Sequence, residues 1–169
     1  MNGDELRAIQ APLKERYRGD AKAGLVTLKA NGALDSAAIA CKVETGRALA
    51  IAGLHPATGG SGAELCSGDM LLEALVACAG VTVKAVATSM GIELRSGKVA
   101  AEGDLDFRGT LGVDKQAPVG FSDIRLKFEL DTDAPQEQLD TLLKLTERYC
   151  VVLQSLRHSP KTEAMIERA

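Results

Sequence analysis

Asp69-Met-Leu-Leu-Glu-Ala-Leu-Val-Ala-Cys-Ala-Gly-Val-Thr-Val-Lys-Ala-Val-Ala-Thr-Ser-Met90 is the stretch whose reading decides the fold. From Leu71 to Ala87 nearly every position is apolar or small, with Glu73, Thr82 and Lys84 as exceptions. The pattern predicts a central helix over about 69–90, with Ser67 or Asp69 available as its cap. A helix apolar on most sides must be covered on most sides. In a chain of 169 residues one sheet covers one face, and a second copy is the natural cover for the other. The helix therefore predicts a homodimer built around paired central helices. Cys78 lies on a stripe with Leu71, Leu75, Val81 and Ala85, while Glu73, Ala77 and Lys84 fall on another side.

Upstream of this helix, Leu25–Leu28, Ala38–Val43 and Ala48–Ile51 read as short strands, separated by turns at Asn31-Gly32 and Thr45-Gly46. Ile39, Cys41 and Val43 alternate onto one face, which makes Cys41 a core residue. Gly53 to Gly68 is rich in Gly, Ser and Ala but lacks the Gly-Lys-Ser/Thr ending of a phosphate loop. It reads as a mobile, solvent-facing loop bordering a pocket, with Cys66 incidental and His55 without a partner. Asp4 to about Arg18 carries Leu6, Ile9, Leu13 and Tyr17 at helical spacing, with Pro12 interrupting it, and predicts an amphipathic arm.

Downstream, Val99–Phe107 and Ile124–Leu130 alternate as strands that pair in a long hairpin, with Gly109–Pro118 as the connecting loop. Asp133-Ala-Pro-Gln136 opens a second helix, with Asp133 as cap and Gln136 completing a capping box. Leu139, Leu142, Leu143 and Thr146 lie along one side, and an unbroken helix carries Cys150 onto the same stripe. The tail after Pro160 is polar. The reading is one α+β domain over 1–169, comprising an arm (1–20), a core (24–157) and a tail (160–169).

Composition narrows the function. With 20 basic and 23 acidic residues, the net charge of −3 gives no bias toward nucleic acid or anionic lipid. Two Tyr, three Phe and no Trp leave no stacking platform for bases. Met1-Asn-Gly-Asp-Glu-Leu-Arg is unlike a basic leader followed by an apolar stretch, and uncharged Ala74–Val83 is too short to span a bilayer. The expectation is a cytoplasmic protein with no membrane partner, where stable disulfides are rare. Cys41, Cys66, Cys78 and Cys150 contain no Cys-x-x-Cys pair, and His55 and His158 are the only histidines. No metal and no bound cofactor is expected.

Cys78 and Cys150 each sit on a predicted buried stripe, with charged residues a turn or two away. They are either independent core cysteines or a pair that meets in space. An acidic residue and Leu-Leu-x-Ala-Leu-x-Ala-Cys78 on a buried helix, then a hairpin, then Tyr149-Cys150-Val-Val-x-x-x-Leu, resembles the OsmC/Ohr family. These are the osmotically inducible and organic hydroperoxide resistance proteins. The resemblance covers about 24–157. It implies antiparallel sheets around a buried central helix in an intertwined homodimer, with sites at the subunit interface.

The resemblance also implies a thiol-dependent peroxidase for organic hydroperoxides, part of an antioxidant stress response. Cys78 attacks, becomes a sulfenic acid, and is resolved by Cys150 as a disulfide. An external dithiol such as lipoyl groups restores the pair. The family adds an arginine from the N-terminal region and a glutamate just before the central helix. The matching positions here are Arg18, preferred over Arg16, and Asp69, with Glu73 as fallback. Asp69 is a shorter acid on the opposite side of an ideal helix from Cys78, so it acts from the cap or on the partner's site. Val151 stands where the family commonly has Pro. The alternative is a family-fold protein without peroxidase turnover that binds a small apolar ligand or senses oxidants through its thiols.

Overall fold

A computed structural model describes residues 2–5, 8, 10–11, 31–34, 40–44, 49–112 and 114–168. Its elements run β1 (Asn31–Leu34), β2 (Ala40–Glu44), β3 (Leu49–Gly53), a 3-10 turn (Pro56–Thr58), β4 (Leu65–Cys66) and α1 (Ser67–Met90). They continue with β5 (Ser96–Leu105), α2 (Phe107–Thr110), β6 (Phe121–Asp131), α3 (Gln136–Tyr149) and α4 (Val151–Arg157). Strands β1-β2-β3 pair antiparallel and β4 joins β3 in parallel, while β5 and β6 form a separate two-stranded sheet. The fold is α+β.

The strands β5 and β6 pair from Ser96↔Asp131 to Leu105↔Phe121, with one irregularity at Asp104/Leu105. Their alternation aims Val99, Ala101, Ile124, Leu126 and Phe128 at the helices, while Glu102, Asp104, Asp123, Arg125 and Glu129 face solvent. The helices lie on that apolar face. Leu75 and Ala79 of α1, Cys150 and Leu153 form one buried cluster; Val83, Val86, Ala87, Ile92 and Leu142 form the second. Gly103 is required where β5 passes under Phe121, because a Cβ there would stand 2.6 Å from the ring.

The central helix spans 24 residues and ends where Gly91 takes a left-handed φ of 71°. It starts earlier than its sequence suggests. Cys66, not Ser67 or Asp69, is the N-cap, and Asp69 sits in the first turn, where a carboxylate complements the unpaired amides. Only part of α1 is covered. Leu71, Ala74, Ala77 and Val81 remain exposed, Val81 at 73 %. Counted with its flanks, α1 is long and apolar enough to cross a membrane, although Ala74–Val83 alone is not. One side packs on β5, α3 and α4.

Other sequence expectations are corrected. Asn31-Gly32 lies in strand β1 and not in a turn. Asp133 does not cap α3: its carboxylate is taken by Arg95 at 2.5 Å, and Pro135 holds the N-cap position. Gln136 accordingly makes no capping box and donates to Asp140 at 2.7 Å. The predicted strand at 25–28, the side chain of Cys41, most of the N-terminal arm, Arg16 and Arg18 lie outside the described residues. At the start of that arm Asn2 and Glu5 cap each other reciprocally, both bonds 2.9 Å.

Candidate thiol site

The helix expected to run unbroken to Cys150 is broken there. Cys150 takes φ −72° and ψ 105°, and serves as C-cap of α3 and N-cap of α4. Tyr149-Cys-Val-Val152 is a run of aromatic, Cys and β-branched residues, all weaker helix formers than the Leu, Lys and Glu before it. The last α3 bond is Cys150 N–H to Thr146 C=O at 2.9 Å, and the first of α4 is Gln154 N–H to Cys150 C=O at 2.9 Å. Between them the N–H groups of Val151, Val152 and Leu153 have no backbone acceptor among the described residues.

Those freed amides face two sulfurs. Cys78, half-buried on α1, packs against the cluster that contains Cys150, which is fully buried. Both thiols are free. Burial alone would push the Cys78 thiol up, but the Val152 amide, the Cys150 thiol, the Val151 amide and the Thr82 hydroxyl together hold it below the ordinary cysteine value. Burial pushes the Cys150 thiol up, and the neighbouring Cys78 sulfur raises it further against the pull of the Leu153 and Val152 amides. The two thiols are thus pushed in opposite directions, Cys78 down with the Cys150 thiol among its donors and Cys150 up. Thr82, one turn beyond Cys78, donates its single hydroxyl proton to the Cys78 carbonyl at 2.7 Å, and favours the thiolate only when that proton is turned to the sulfur instead.

The influences that favour the Cys78 thiolate are neutral dipoles. Asp69 does not join them within one chain. It precedes Cys78 by nine positions (78 − 69), about 13 Å along the helix axis and on its opposite side. It lines a groove of about 330 Å³ with Cys66, Leu72, Gly103, Phe107 and His55. His55, expected without a partner, stacks on Phe107 at 4.8 Å and accepts the Ala57 N–H at 3.0 Å. Glu73 is exposed. Among the described residues no three His, Cys, Asp or Glu side chains converge as a metal ion would require.

The residues missed from sequence are Thr82, Gln154 and the amides of Val151 and Val152. Thr82 was visible as a polar position one turn from Cys78. The amides were not, because side-chain patterning is blind to where backbone N–H groups point.

A half-buried thiol on the central helix, shifted down from its ordinary value and paired with a second thiol at a helix break, defines an α+β protein with a candidate redox pair. The OsmC family model, described as OsmC-like protein, matches residues 60–165, and the chain belongs to that family. Among solved structures it is similar to the OsmC-like protein of Mycoplasma pneumoniae, with a TM-score of 0.66 and 13 % identity over 79 % of this chain and 89 % of that one. It is also similar to an organic hydroperoxide resistance protein OsmC from Legionella pneumophila (TM-score 0.61, 17 % identity, 80 % and 92 % covered). The organic hydroperoxide resistance protein OhrB of Bacillus subtilis aligns with a TM-score of 0.53 and 18 % identity over 80 % and 94 %. No curated protein matches the sequence.

Proposed function

We propose that the protein is a cysteine-based peroxidase that reduces organic hydroperoxides. The observation that carries this reading is the placement of two free thiols together, Cys78 of α1 packed on the buried cluster that holds Cys150 at the helix break, with the Cys78 thiol pushed down and the Cys150 thiol pushed up. The Cys78 thiolate attacks the terminal peroxide oxygen and the O–O bond breaks. The leaving alkoxide takes a proton and departs as alcohol, leaving Cys78 as a sulfenic acid. The Cys150 sulfur then attacks Cys78, water leaves, and a disulfide joins the pair. An external dithiol, such as a lipoyl group, returns both thiols and is itself oxidised.

The exposed apolar flank of α1 near Cys78 (Ala77 and Val81), with Val151 at 68 % exposure, suits an alkyl chain better than hydrogen peroxide. The same flank supports a homodimer in which a second copy covers α1 and closes the site. Arg18 stays the candidate for the cation beside the thiolate, and Asp69 for a carboxylate reaching the partner's site. A cytoplasmic location, where stable disulfides are rare, suits a pair that must cycle back to thiols.

The second reading is a thiol sensor or small apolar ligand binder, favoured by thiolate stabilisation that rests on neutral dipoles. Reduced protein should consume cumene hydroperoxide with loss of two thiols, and Cys78→Ser should abolish this. Hydroperoxide left untouched would end the peroxidase reading. Disulfide formation without dithiol-driven turnover would favour the sensor.

A further inference from the structure

In a continuous helix the Glu147 carbonyl would accept the N–H of Val151, four residues on. Here it accepts the side-chain amide of Gln154 at 2.7 Å, a part-buried bond that reaches back across the bend at Cys150. The Glu147 carboxylate is held in turn by Arg157 at 2.7 Å, on the same stretch of α4. Gln154 has thus taken the acceptor that would otherwise draw Val151 into α3. The released N–H groups of Val151 and Val152 are those that meet the Cys78 sulfur.

We propose that Gln154 is a positioning residue for Cys78: by occupying the Glu147 carbonyl it keeps the helix broken at Cys150 and the Val151 and Val152 amides turned onto the Cys78 sulfur. This deepens the reading of Cys78 as the reacting thiol, yet its test does not need peroxidase turnover. Without the Gln154 donor, the orphaned Glu147 carbonyl draws the Val151 N–H back, and α3 extends toward α4. The bend then relaxes and the sulfur loses a donor. Arg157 reinforces the strap from solvent, where an ion pair contributes little.

The experiment measures the rate of Cys78 alkylation by iodoacetamide against pH, read by mass spectrometry of the Cys78 peptide. Gln154→Met keeps the side-chain length and removes the donor, and Gln154→Glu serves as a second variant should the first not fold. The expected result is a profile displaced to higher pH, with alkylation about threefold slower near neutrality, the scale of one lost hydrogen bond to a charged group after the gain in nucleophilicity. In a Val151→Pro background, where the Val151 N–H is already gone, the effect of Gln154→Met should be smaller. An unshifted profile in a folded Gln154 variant overturns the proposal, as does an undiminished effect in the Val151→Pro background. Failure of hydroperoxide consumption would leave these profiles unaltered and would count against the peroxidase reading alone.

Discussion

Val151→Pro isolates one backbone N–H. Proline is favoured at the first position of a helix, where its missing N–H has no intrahelical partner to lose. The residue before a proline must be extended, and Cys150 already is, at φ −72° and ψ 105°. The Val151 side chain is 68 % exposed, so little packing is lost. The substitution should leave stability within about 0.5 kcal/mol. What it removes is a donor to the Cys78 sulfur. A hydrogen bond to a charged group contributes about 1.5 kcal/mol, which lowers the thiolate fraction about tenfold at pH values below the thiol pKa.

The more basic thiolate is about threefold more nucleophilic, so the net fall in alkylation rate is about threefold. Above the pKa of both proteins the order inverts, and the variant reacts about threefold faster. Crossing pH–rate profiles from iodoacetamide labelling of the Cys78 peptide are therefore the expected result. Superimposable profiles, at unchanged melting temperature, would refute the claim that this amide favours the thiolate.

Leu75→Ala empties a fully buried position between the sheet and α4 and should cost about 2–5 kcal/mol, read as a lower urea midpoint. Thr146→Val should do the opposite, raising stability by about 1 kcal/mol, because Thr146 is 1 % exposed and its hydroxyl has no partner among the described residues. Asp133→Asn tests the clasp between Arg95 and the start of α3. Arg95 holds the Asp133 carboxyl below the usual carboxylate range, so its contribution is present above the unfolded pKa of about 3.9 and is lost as pH falls through the lowered folded value. The variant should melt below the parent at pH 7, and the gap should close as the pH falls below the lowered folded value of Asp133.

The α+β class, the central helix and the β5–β6 hairpin were legible because Leu71–Ala87 is an apolar run too long for a strand and Ile124–Leu130 alternates with a period of two. The pairing of Cys78 with Cys150 came from a resemblance, since 72 residues of separation (150 − 78) carry no distance information. What stayed illegible belongs to the backbone and to long-range competition. Asp133 has every local credential of a cap, but Arg95, 38 residues away, binds it more strongly. The break at Cys150 depends on Gln154 reaching back seven residues to Glu147, a contact no periodicity encodes. Asn31-Gly32 reads as a turn by composition and is a strand because β2 pairs with it from Glu44 to Cys41.

The central claim is an order of events, with Cys78 attacking first and Cys150 resolving. Trapping the intermediate tests it most directly. Cys150→Ser protein exposed to one equivalent of cumene hydroperoxide and dimedone should carry the sulfenic-acid adduct on Cys78, and Cys78→Ser protein should carry none on Cys150. An adduct on Cys150 in the Cys78→Ser protein, or none on Cys78 in the Cys150→Ser protein, would contradict the account.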